Sequence, residues 1–363
     1  MSSIIGNKLK ISLFGESHGE AAGIVIDGLP PGIELNLEYI DEHMKRRAPG
    51  QSVLSTPRRE EDKYSIVSGY FQGKTTGTPL CALIYNENIN SKDYNEIKSK
   101  IRPGHGDYTG FIKYKGFNDF RGGGHFSGRL TAPLTFAGAI AMQILQSKKI
   151  YIVSRIKSIK DISDDDGINL HENEINRLTK MNFPVLSSDK LKLMQEKISE
   201  AKENNNSVGG VIETYIVNVP AGYGGPFFDS VESKLSHMIF SIPAVKGIEF
   251  GAGFDITKLT GNNANDEFII TNNKITTTTN NNGGILGGIT NGMPIVFRTA
   301  IKPTSSIGIS QHTVDLHEMK ETEINVAGRH DPCIVPRVIP AINGAAALVI
   351  LDLILERDGE LWI

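Results

Sequence analysis

The chain has 363 residues, 39% of them hydrophobic and 22% charged, a balance that excludes a wholly disordered, collagen-like or coiled-coil protein. A formal net charge of -3 and only 7% aromatic residues leave no global basic field for nucleic acid or an acidic membrane, though a local anion site remains open. Two cysteines, Cys81 and Cys333, are too few and too far apart for a disulfide framework or a zinc site, so reduced thiols in a cytoplasm are expected.

Residues 1–13 carry Lys8 and Lys10 and lack the apolar stretch of a secretory signal, and no run approaches the ~20 apolar residues of a membrane helix. Lys10 to Phe14 and Ala21 to Ile26 read as strands around the loop Gly15-Glu-Ser-His-Gly-Glu20. Asn36 is placed to cap a helix carrying Leu37, Ile40 and Met44 on one face, ending at Lys45, Arg46 and Arg47, where basic residues suit the helix dipole. Tyr64 to Tyr70 and Leu80 to Tyr85 read as further strands. Residues 102–109 read as a loop by composition, and so does Arg121-Gly-Gly-Gly-His-Phe-Ser-Gly-Arg129, from which Thr131 is expected to cap an apolar helix reaching Leu145.

From 149 to 207 the chain is polar and reads as peripheral, with one amphipathic helix from Asp189 to Lys202. Val211 to Val219 and Pro294 to Ala300 read as strands, and Ser230 to Phe240 as a helix. The Asn- and Thr-rich tract 261–282 reads as a mobile surface loop, and Ala341 to Leu355 as a core helix.

Chemistry-bearing residues gather in the Gly- and Pro-rich loops, where function concentrates. His18 stands between Gly15 and Gly19, and His105 between Gly104 and Gly106, settings that present an imidazole near its titration range. The histidines at 43, 171, 237, 312 and 317 lack such a setting and read as surface or packing residues. Arg329 and Asp331 read either as a turn-holding ion pair or as an anion-binding arginine with a proton-accepting aspartate. Lys302-Pro-Thr-Ser-Ser306 reads either as an ordinary Ser/Thr turn or as a phosphate cradle. No metalloprotease, Walker or nucleophile-elbow motif occurs. The residues by themselves describe an enzyme for an anionic ligand with two histidines and an aspartate for proton transfer.

At Gly15-Glu-Ser-His-Gly19, Arg102-Pro-Gly-His105 with Asp107-Tyr-Thr109, Lys302-Pro-Thr-Ser-Ser306 and Gly328-Arg-His-Asp-Pro-Cys333, the sequence strongly resembles the chorismate synthase family. The motifs stand in family order from near residue 6 to about residue 355. The resemblance implies an α+β fold, a β-α-β sandwich with two antiparallel sheets in the centre and helices outside. It also implies a single domain over 1–363, flexible at about 261–282, and a cytoplasmic homotetramer.

The implied reaction is an anti 1,4-elimination of phosphate and the C6 hydrogen from 5-enolpyruvylshikimate 3-phosphate, giving chorismate. It requires reduced FMN (FMNH2), with NADPH as a reductant in some members. Carried over by position, Asp331 relays the C6 proton while His18 and His105 keep flavin and departing phosphate correctly protonated. Flavin contacts fall on His125, Phe126, Ser127, Pro243, Ala244, Gly287, Lys302, Pro303, Thr304, Ser305, Ser306 and Arg329. Substrate or NADP contacts fall on Arg47, Arg129 and Arg329, with no metal. Many members have Arg-Ser-Ser-Ala-Arg where this chain has His125-Phe-Ser-Gly-Arg129, and Val53 and Pro243 are further departures.

Overall fold

The structure, a computed structural model, describes residues 3–50, 60–86, 99–168, 170–326 and 331–359. In chain order the first half forms β1 (Ile4–Ile5), β2 (Lys10–Gly15), β3 (Ala21–Asp27), α1 (Leu37–Arg47), β4 (Tyr64–Ser68), β5 (Tyr70–Phe71), β6 (Lys74–Thr75), β7 (Leu80–Tyr85), α2 (Asp107–Lys113) and α3 (Thr131–Ser147). There follow β8 (Tyr151–Ile159), β9 (Ile162–Ser163), α4 (Glu172–Lys180), α5 (Ser188–Glu203), β10 (Gly210–Val217), α6 (Val231–Phe240), β11 (Val245–Phe250) and α7 (Gly261–Ala264). The last part forms β12 (Phe268–Thr271), β13 (Lys274–Thr277), β14 (Ile285–Leu286), β15 (Ile289–Thr290), β16 (Ile295–Ile301), β17 (Gln311–Asp315), β18 (Lys320–Ile324) and α8 (Val335–Asp358).

Two antiparallel five-stranded sheets dominate, one in the order β1-β2-β3-β7-β4 and the other β11-β16-β10-β8-β9. Between them lie α3 and α8. The first touches β3 and β7 of one sheet, the second touches β8 and β10 of the other, and the two helices pack on each other. A Cβ at Gly138 of α3 would stand 2.1 Å from the Gly344 backbone of α8, so only glycine permits this approach. The α+β class and the antiparallel sheets agree with the expected fold, but α3 and α8 occupy the centre and not the outside. The physical reason is their composition: each is apolar on every face, and such a helix must be buried all round. On the outer face of the second sheet, α4 presents Ile175 and Leu178 to Val153, Tyr215 and Val217.

α8 begins six residues before the expected Ala341, and this corrects the expectation that no run approaches membrane-helix length: α8 is long and apolar enough to cross a membrane, but its apolar window is wholly buried within the molecule. Its buried Asp352 accepts backbone N–H bonds from Asn7 at 3.1 Å, Lys8 at 2.8 Å and Leu9 at 2.8 Å, which ties the amino-terminal segment to the central layer.

Asn36 caps α1 as expected, its side chain accepting from Tyr39 N at 3.1 Å. Four local readings differ from the structure. Residues 102–109 are not all loop, since Asp107 opens α2. Thr131 lies inside α3; its hydroxyl donates back to the Gly128 carbonyl. The 149–207 stretch is not peripheral, because it contains β8, whose fully buried Arg155 pairs with Asp164 and Glu213. Polar composition concealed this strand because its charge is internally neutralised. Residues 261–282 form α7 and the β12–β13 hairpin, closed by the buried Asp266, which accepts from Thr279, Asn281 and Asn282.

Candidate active site

The strand pair β2–β3 throws the 15–20 loop out at one end of the first sheet, where Ser17 N donates to the Gly124 carbonyl at 3.1 Å. That bond brings the loop against the turn Arg121–Phe126. Gly122, Gly123 and Gly124 take φ values of 58°, 85° and 52°, the left-handed region open to glycine. The turn is anchored by Asp119, whose carboxylate holds the Arg121 guanidinium at 2.8–2.9 Å.

Both candidate histidines lie against this turn. A Cβ at Gly122 would fall 2.2 Å from the ring of His18, and one at Gly123 would fall 3.1 Å from Cε1 and Nε2 of His105. The glycines thus keep side chains out of the space between two imidazoles that are 87 residues apart in sequence. His18 is buried, with Nδ1 3.2 Å from Ser17 Oγ.

His105 Nδ1 lies 2.6 Å from Asp107 Oδ1. Arg102 grips the same carboxylate with Nε and Nη2, each at 2.8 Å, and reaches Ser306 Oγ with Nη1 at 3.2 Å. Burial works against the charge on Asp107, but the hydrogen bonds from Arg102 and His105 outweigh it and hold its carboxyl well below the usual carboxylate range. The Lys302–Ser306 loop joins the cluster through Lys302 Nζ, which donates to the Gly104 carbonyl. Its backbone N–H donates to the Ala244 carbonyl at 3.0 Å, placing Pro243 and Ala244 at the start of the same loop. Thr304 Oγ1 donates to the Asp331 carbonyl at 2.9 Å.

A second group of charges adjoins through the continuation of the glycine turn. Arg47, at the end of α1, pairs with the fully buried Asp62 at 2.6 Å and donates to Thr131 Oγ1 at 3.3 Å. Arg129 shares Asp62, lies 3.3 Å from Glu60 and donates to Asn86 Oδ1 at 2.9 Å. Arg337 pairs with Asp331 and donates to the Arg47 carbonyl at 3.3 Å. Burial pushes the Arg47 guanidinium down to about 10; Asp62 opposes this, while the positive charges of Arg337 and Arg129 add to it. Arg47 Nε is buried and has no hydrogen-bond partner among the described residues.

The structure therefore gathers His18, His105, Ser127, Arg129, Arg47, Pro243, Ala244, Lys302 to Ser306 and Asp331 into one connected region. His125 and Phe126 adjoin it with their side chains engaged elsewhere. His125 Nδ1 lies 2.8 Å from the Gly15 carbonyl oxygen, and the Phe126 ring fills the space beside Gly106 and Gly110 of the α2 turn. Gly287 turns between β14 and β15, and the neighbouring Gly288 carbonyl accepts from Val231 N at 3.0 Å, so its surroundings among the described residues belong to the start of α6. Arg329 and Val53 lie outside the described residues.

Sequence reasoning assigned no role to Asp107, Asp62, Glu60 or Arg337. Asp107 carried a usable signal, a carboxylate two residues after a glycine-flanked histidine. Asp62 and Glu60 sit in a charged run, Arg58 to Lys63, in which nothing in the local pattern singles out either one.

Comparison with known proteins agrees with these motifs. The family model for chorismate synthase matches residues 9–355. A chorismate synthase of Pyrococcus abyssi is 47% identical over 352 residues, covering 97% of both chains. One of Dehalococcoides mccartyi is 45% identical over 362 residues, covering 98% of this chain and 97% of the relative. A crystal structure of chorismate synthase superposes with a TM-score of 0.76 at 27% identity, covering 98% of this chain and 94% of the other. The chain belongs to the chorismate synthase family.

Proposed function

We propose that the chain converts 5-enolpyruvylshikimate 3-phosphate into chorismate by an anti 1,4-elimination. The C–O bond to phosphate and the C6–H bond break, a new double bond forms, and inorganic phosphate and a proton leave. The observation that carries this reading is the convergence of two histidine loops on one bare glycine turn, beside the Lys302–Ser306 loop, in a member of this family.

Members of the family depend on a flavin, and the residues suit one: Lys302 with the hydroxyls of Thr304, Ser305 and Ser306 suits its phosphate, and the side-chain-free glycine turn packs directly on both imidazoles. Reduced FMN, when bound, would supply electron density that assists phosphate loss without net redox change. Ser127, Pro243, Ala244 and the 302–306 loop would hold it. His125 and Phe126 would act through their backbone, given the engagement of their side chains.

A substrate with one phosphate and two carboxylates needs several cations; the Arg47 Nε, which has no hydrogen-bond partner among the described residues, would give one donor, with the positive charge of Arg129 beside it. Arg329 would complete that set. Asp331, held by Arg337, would take the C6 proton and pass it on. His18 and His105 would keep the ligands in the required protonation states, each contributing about 10²- to 10⁴-fold in rate. The exposed Phe268, Ile270 and Ile275 of the β12–β13 hairpin provide an apolar face suited to contact between copies in a homotetramer, and two free thiols suit the cytoplasm.

The test is an anaerobic assay with chemically reduced FMN. Equal amounts of chorismate and phosphate over many turnovers, absent with oxidised FMN, support the reading; one product per flavin, with the flavin oxidised, would replace it with a hydride-transferring flavoprotein. NADPH in place of the chemical reductant tests whether the chain reduces its own flavin.

A further inference from the structure

The two ring nitrogens of His105 face different surroundings. Nδ1 lies 2.6 Å from Asp107 Oδ1, whereas Nε2 is on the side of the glycine turn, 3.1 Å from where a Cβ at Gly123 would be. The same Asp107 oxygen accepts from Arg102 Nη2 at 2.8 Å, and the other accepts from Arg102 Nε at 2.8 Å and from its backbone N at 3.0 Å. Arg102 Nη2 also stands 3.1 Å from His105 Nδ1. An ionised carboxylate oxygen can only accept, so the 2.6 Å contact needs the proton on Nδ1, and Nδ1 and Arg102 Nη2 are two donors sharing one carboxylate oxygen. An arginine that is always charged grips Asp107 through both oxygens, and its carboxyl is held far below the usual range against the pull of burial. Asp107 is therefore acceptor-only, and His105 Nδ1 has one role left, that of donor.

We propose that Asp107 is a positioning residue that fixes His105 in its Nδ1–H tautomer, leaving Nε2, the nitrogen beside the glycine turn, as the one that exchanges a proton with a bound ligand. The assignment rests on reading His105 as an acid–base group, and it adds a carboxylate orienter to that reading. Arg102 extends the device, because its Nη1 bond to Ser306 makes one guanidinium set both the Asp107 carboxylate and the phosphate-cradle loop.

The test is ring-nitrogen NMR on the full chain labelled with 15N-histidine, with the pH raised until the His105 ring-nitrogen signals stop moving, and with those signals assigned by their loss in His105→Gln. The expected wild-type pattern is Nδ1–H. In Asp107→Asn the amide oxygen stays with the Arg102 fork and turns its NH2 towards Nδ1, so the pattern moves to Nε2–H, the form histidine favours in water. Turnover by that variant should fall by up to about 10²- to 10⁴-fold, the whole contribution of such a group, with KM changed much less. An Nε2–H pattern in the wild type overturns the proposal whether or not any variant folds, and so does an unchanged Nδ1–H pattern in a folded Asp107→Asn. The NMR measurement needs neither flavin nor substrate, so absence of chorismate formation by the wild type would defeat the functional reading and leave the tautomer result standing.

Discussion

Arg155 and Arg47 are both buried arginines paired with buried carboxylates, yet their surroundings differ. Arg155 places Nε 2.9 Å from Glu213 and Nη1 3.0 Å from Asp164, and Asp164 in turn accepts from the backbone N–H of Leu186 and Ser187 at 2.7 and 3.1 Å. Every charge there has its complement, and the network joins β8, β10 and the segment leading into α5. Arg47 shares the buried Asp62 with Arg129, which also meets Glu60, is repelled by Arg337, and has an Nε with no hydrogen-bond partner among the described residues. A buried guanidinium with its partners arranged around it fixes a fold; a crowded group of three arginines and three carboxylates, with a donor left over beside two histidine loops, suits a place for an anionic ligand.

The largest expected effect that would sharpen this contrast is on chemistry. Asp331→Asn keeps the shape of the side chain beside Arg337 but removes its capacity to take a proton, so kcat should fall by about 10²- to 10⁴-fold in steady-state kinetics while KM stays near the wild-type value. Loss of substrate binding instead would make Asp331 a structural member of the arginine group. Arg155→Met leaves Glu213 and Asp164 buried and uncompensated, and denaturant unfolding should show a loss of about 3–5 kcal/mol with binding by the folded fraction unchanged.

A third effect separates both networks from ordinary pH dependence. Burial, with Arg46 adding to it, lowers the pKa of His43 from 6.5 to about 4. The folded state therefore binds fewer protons than the unfolded one between those values. Stability is full above pH 6.5 and declines as pH falls towards 4, by about 3 kcal/mol in all, and His43→Leu should flatten this decline in unfolding curves. The networks are best compared above that window. The smallest effect belongs to Arg47→Met: Arg129 still neutralises Asp62, so stability should change less than in Arg155→Met, while substrate affinity measured by titration falls about 10- to 100-fold, the 1.5–3 kcal/mol of a charge-assisted hydrogen bond. Equal stability losses in the two methionine variants would break the comparison.

Much of this was legible in the sequence, for identifiable reasons. The strands Lys10–Gly15 and Ala21–Asp27 and the cap at Asn36 follow from local pattern and were placed within a residue. The histidine loops were legible because glycine flanks both rings. The order of layers was not, although it follows from a property visible in α3 and α8: a helix without a polar face has nowhere to go except between two sheets. β8 and Asp62 were obscured for the opposite reason, since a buried charge with a distant partner looks in sequence like a solvated one. The pairings Arg155–Glu213, Arg47–Asp62 and Asp331–Arg337 exist only once the chain is folded.

The central claim is that the loops of His18 and His105 form one site across the glycine turn. A double-mutant cycle tests it most directly, comparing kcat/KM for the wild type, His18→Ala, His105→Ala and the double variant with reduced FMN. Groups acting in one site are expected to be coupled, so the double variant should lose less than the sum of the single losses, by about 0.5–3 kcal/mol. Losses that add to within about 0.3–0.5 kcal/mol would contradict it, placing the two imidazoles in independent roles.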